Sequence, residues 1–81
     1  MTMAEIHNKS FCRAARAIIN PTMKDGGETS DVMLVLESTI AAVLLSTHGG
    51  NPFRASATLE ERLIPGVIDR LVKFAKDQGT L

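Results

Sequence analysis

The chain has 81 residues, nine basic and nine acidic, with no tryptophan or tyrosine, three phenylalanines and one cysteine. One small domain is expected at this length, and its core supplies only about 3–5 kcal/mol of net stability unless a staple or a partner adds to it. The lone Cys12 excludes an intrachain disulfide and a cysteine-rich zinc site, and the two histidines leave at most a mixed His/carboxylate site. Oligomerisation is therefore the expected way to complete the core.

Net neutrality and the shortage of aromatic rings argue against a nucleic-acid binder, which needs a basic excess and stacking platforms. Charge is nevertheless uneven along the chain. Residues 1–24 carry Lys9, Arg13, Arg16 and Lys24 against Glu5, whereas residues 25–48 carry Asp25, Glu28, Asp31 and Glu37 with no lysine or arginine. The N-terminus lacks the basic-then-apolar layout of a secretory signal, and Asn8-Lys9-Ser10 reads as a chance sequon, so a cytoplasmic protein is expected.

The first helix is expected over residues 3–19. Phe11, Cys12, Ala15, Ile18 and Ile19 recur at helical spacing, and Glu5, Lys9, Arg13 and Arg16 occupy the other side. Glu5 and Lys9 form an i,i+4 pair in the favourable order. Asn20-Pro21 is expected to end the helix, since proline pushes its predecessor out of the α region. A loop with a turn signal at Asp25-Gly26-Gly27 follows.

The second helix is expected over residues 30–48, with Thr29, Ser30 and Asp31 as candidate N-caps and Gly49-Gly50 as its left-handed stop. Its run Val32–Leu45 reads VMLVLESTIAAVLL, apolar on nearly every side and interrupted by one carboxylate, Glu37. Such a helix must be covered on several sides. It falls short of the roughly 17–25 apolar residues of a membrane span and carries Glu37 near its centre, so no membrane contact is expected.

The third helix is expected over residues 57–77, opened by a Thr58-x-x-Glu61 capping box. Leu59, Leu63, Val67, Leu71 and Ala75 mark its apolar phase, which continues unshifted past Pro65-Gly66. That continuity favours one helix kinked at Pro65-Gly66 over a break there. The fold class expected is thus all-α, a small three-helix domain over residues 1–81, completed by dimerisation.

No residue pattern points to catalysis. Cys12 and His7 are badly spaced for a dyad, and no serine stands in a G-x-S-x-G elbow. Glu37 and His48 lie three turns apart, roughly 16 Å along the axis, too far to share a metal. The Gly26-Gly27 loop leads into a helix N-terminus, but Asp25, Glu28 and Asp31 would repel a phosphate there.

Two functional readings remain. In the first, the chain is a noncatalytic homo-oligomeric interaction or regulatory module, requiring no cofactor and no metal. Its interface is the second helix, through Val32, Val35, Leu36, Ser38, Thr39, Ala42, Val43 and Ser46, whose small residues allow close helix approach. In the second, Lys9, Arg13 and Arg16 bind a small anion or an acidic protein surface. Arg70, Lys73 and Lys76 offer another basic surface for an acidic partner.

Overall fold

Helix ends in this chain are set by local chemistry, and a computed structural model describing residues 1–79 shows how. Every element among the described residues is helical. The chain divides into two units, Met1–Ile40 and Ala41–Leu81.

In the first unit, helix α1 spans Met3–Lys24. Thr2 caps it from an extended backbone. Its Oγ1 accepts from the Glu5 amide at 3.2 Å, and its hydroxyl donates to the Glu5 carboxylate at 3.2 Å. The expected stop at Asn20-Pro21 does not occur, and α1 continues a further turn through the proline. Pro21 has no N–H to give to the Ala17 carbonyl, and the next residue bonds the neighbouring one: Thr22 Oγ1 donates to the Ile18 carbonyl at 3.1 Å.

The true stop is Asp25-Gly26-Gly27. Gly26 adopts φ +86°, its amide donates to the Met23 carbonyl, and Gly27 N donates to the Thr22 carbonyl at 2.9 Å. This pair of bonds is a Schellman motif. A left-handed glycine thus ends the helix where the proline only weakens it.

Helix α2 spans Thr29–Thr47. None of the three expected caps acts from the cap position. Glu28 occupies it, and Asp31 reaches back so that its Oδ2 accepts from the Glu28 amide at 2.7 Å. That is the reciprocal half of a capping box, with a carboxylate favourably placed at the positive end of the helix. The Gly49-Gly50 stop forms as the sequence suggests: Gly49 has φ +62°, and Gly50 N donates to the Leu45 carbonyl at 2.8 Å.

In the second unit, Asn51 opens helix α3, Pro52–Thr58. Its side-chain oxygen accepts from the amides of Phe53 and Arg54 at 3.0 and 3.2 Å, and Pro52 fills the first helical position. The helix therefore begins five residues before the expected residue 57. Thr58 and Glu61 form no capping box, because Thr58 already has helical φ and ψ. A single π turn, Leu59–Leu63, follows and closes with Ile64 N donating to the Leu59 carbonyl. Helix α4, Ile64–Asp77, continues directly from it.

The third helical run is thus continuous through Pro65, as its apolar phase implies. The irregularity lies in the turn before the proline, where the ring would crowd the carbonyl four residues back.

Burial is the largest departure from expectation. Among the described residues only Val32 and Ala55 are buried. Phe11 and Ile19 of α1 are exposed, and the apolar stripe of α4 buries none of its residues. A helix apolar on nearly every side needs cover on several of them, yet α2 buries Val32 alone.

Gly27 tests the local account. A Cβ there would stand 2.7 Å from the Thr22 carbonyl oxygen and 2.8 Å from Thr22 Cγ2. Gly27→Ala is expected to cost about 1–3 kcal/mol through this clash, measured as a lowered midpoint in urea unfolding.

Candidate association surface

Helix α2 is apolar around its circumference, and its exposure follows no single face. Met33, Leu34, Val35, Val43 and Leu45 are all exposed. Of the expected interface residues, Val35, Ser38, Ala42, Val43 and Ser46 are exposed, Leu36 and Thr39 are half-buried, and Val32 is buried. At 100° per residue, Val35, Ser38, Thr39, Ala42, Val43 and Ser46 share one arc of about 140°. Val32 contributes to the packing of its own chain instead.

Two threonine hydroxyls on this helix are engaged within it. Thr39 Oγ1 donates to the Val35 carbonyl at 2.8 Å, and Thr47 Oγ1 donates to the Val43 carbonyl at 2.9 Å. A threonine bonded in this way presents its methyl group to a neighbour. Thr39 is correspondingly better suited to a close-packing seam than to a polar ligand groove. Glu37 is exposed and so avoids the cost of a buried, unpaired carboxylate.

The second unit contains one polar link that the sequence did not reveal. His48 Nδ1 lies 2.7 Å from the Leu44 carbonyl, and Nε2 lies 2.7 Å from Thr58 Oγ1. Because a carbonyl only accepts, Nδ1 carries a proton, and in the neutral ring Nε2 then accepts from the Thr58 hydroxyl. This ties the last turn of α2 to α3 across the Gly49–Asn51 connection. Beside it lies an open apolar groove of about 260 Å³, lined by Leu44, Leu45, Pro52, Ala55, Ser56 and Leu59 among others.

The hydroxyl–imidazole–carbonyl order resembles that of an activated nucleophile, but it joins two helix ends, and the ring is oriented by a neutral backbone carbonyl. Its signal in the sequence was the ten-residue separation between a helix-end histidine and a threonine. That separation has meaning only once the turn between them is known.

In the first unit, Lys9, Arg13 and Arg16 lie along α1 as the spacing implies and are exposed. With Asn8 and Cys12 they line an open concavity of about 480 Å³. Cys12 is half-buried, and the His7 ring lies tilted 5.1 Å from that of Phe11. No cluster of three or more metal-ligating side chains occurs among the described residues.

By length and composition α2 is also long and apolar enough to cross a membrane, and it is 6% buried. The helix is longer than the apolar run read from the sequence, so length alone no longer argues against a span. Comparison with protein-family models, curated proteins and solved structures found no match.

The His48–Thr58 link supplies a direct check. Thr58→Val removes the donor to Nε2 and is expected to cost about 1 kcal/mol in urea unfolding, whereas Thr58→Ser retains most of the stability. Equal stability of the two variants would show that the bond contributes nothing.

Proposed function

We propose that the chain is a noncatalytic, cytoplasmic helical module that self-associates through α2. The observation supporting this reading is the mismatch between that helix's apolar circumference and its single buried residue, Val32. Exposed apolar surface of this kind is removed from water by association, at roughly 25 cal/mol per Å² covered. Small residues at Ser38, Ala42 and Ser46 let a second helix approach closely. Glu37 lies on the side of α2 opposite the seam, where water reaches it.

Light scattering over a dilution series should give a mass above that of one chain at low micromolar concentration. Val43→Glu places a carboxylate in the seam and should raise the dissociation constant at least about tenfold. A folded wild-type monomer at that concentration would sink the reading. Uptake of α2 by lipid vesicles would replace it with a membrane-spanning role.

The concavity beside Lys9, Arg13 and Arg16 supports a second reading, a regulatory site for a small anion. Three cations along one helix face attract phosphate or carboxylate, and two arginines offer forked donors. Inorganic phosphate should then raise the melting temperature by mass action. Arg13→Ala/Arg16→Ala should abolish that rise, and an unchanged rise in the variant would dispose of the site.

A further inference from the structure

Helix α4 carries a second uncovered surface, and the charges along its edges identify what covers it. Ile64, Val67, Ile68, Leu71 and Val72 are 44–63% exposed, and α4 has no buried residue. At 100° per residue they form one stripe. Asp69 and Lys76 lie along its Val72 edge, and Arg70 and Asp77 lie along its Val67 edge. Each edge therefore holds one acid and one base seven residues apart, about 10.5 Å along the axis.

We propose that α4 pairs with α4 of a second copy of this chain, antiparallel, about a two-fold axis near Lys73. In an antiparallel pair each edge of the stripe meets the same edge of its mate. Asp69 then stands opposite Lys76 of the second copy, Arg70 stands opposite its Asp77, and the two-fold axis repeats both contacts. The half-way points of the two pairs fall between Val72 and Lys73 and between Lys73 and Phe74. One axis thus satisfies both edges.

A surface of single charge suits neither edge. An anionic lipid surface would attract Lys76 and Arg70 but repel Asp69 and Asp77 beside them. A copy of the same helix complements all four. The antiparallel sense also sets opposed helix dipoles side by side. This contact rests on the reading that the chain self-associates, but it uses none of the α2 residues assigned to that role.

Cysteine crosslinking reads α4 alone. In a full-length Cys12→Ser background, Val72→Cys should form a disulfide-linked dimer under mild oxidation, because the two copies of position 72 lie beside the axis. Ile64→Cys should not, because its two copies lie roughly 27 Å apart along the axis. Both positions are exposed, and circular dichroism checks that each variant retains its helix content.

Charge variants give an independent reading. Asp69→Lys/Asp77→Lys makes both edges wholly basic and should weaken Val72→Cys crosslinking about tenfold. The swap Asp69→Lys/Lys76→Asp keeps every antiparallel pair opposite in sign and should leave crosslinking unchanged. In a parallel pair the same swap would set like charges together.

Equal crosslinking at positions 64 and 72 overturns the antiparallel arrangement. Absence of crosslinking at 72 overturns the α4 contact, while the effect of Val43→Glu on mass still reports on α2 separately. Loss of the Val72→Cys crosslink on adding anionic vesicles overturns self-pairing in favour of a lipid surface.

Discussion

A helix with apolar side chains on every side has no face to offer water. Helix α2 sets that constraint for this chain. The usual remedy is burial beneath neighbouring elements, and a small chain has few to give. Here α2 buries Val32 and leaves Leu34, Val43 and Leu45 exposed. The resulting demand for cover is what makes association the central functional reading. The same demand explains why a membrane is its main rival: both replace water with an apolar neighbour.

Local structure, by contrast, is well specified. Thr2, Asp31 and Asn51 satisfy amides at helix starts, and Gly26 and Gly49 supply left-handed stops. A capping side chain contributes about 1 kcal/mol. These bonds define where helices begin and end without requiring a core. Among the described residues, firmly bounded helices are thus combined with only two buried side chains, Val32 and Ala55.

That contrast accounts for what was legible in the sequence. The all-α class, the stop at Gly49-Gly50 and the passage of the third helix through Pro65 follow from periodicity and short-range chemistry. Pro21 misled because its bias against helix is a local cost that one further turn outlasts, while the decisive glycine lies five residues beyond. Thr58 misled for a different reason. Its spacing to Glu61 matches a capping box, but Asn51 and Pro52 start the helix earlier, leaving Thr58 to bond His48. The basic stripe on α1 was legible because its residues share one helix. The His48–Thr58 bond was not, because it depends on the path of the intervening turn. The extent of cover over α2 was also not legible, since it depends on how elements pack and no periodicity encodes it.

The π turn at Leu59–Leu63 has a consequence for tolerance to insertion and deletion. One extra residue in a turn rotates all later positions by about 100° relative to a regular helix. The direction in which the Ile64–Val72 stripe points is therefore set by the winding between Thr58 and Ile64 as much as by residue type. Loss of a single residue that restored regular winding would leave the stripe, with Asp69, Arg70, Lys76 and Asp77, pointing the same way, because the residue removed and the wide turn lost cancel, whereas regular winding of the full-length segment would swing it by about 100°. The wide turn thus acts as an expansion joint, able to take up one residue of length without changing the aim of the C-terminal helix.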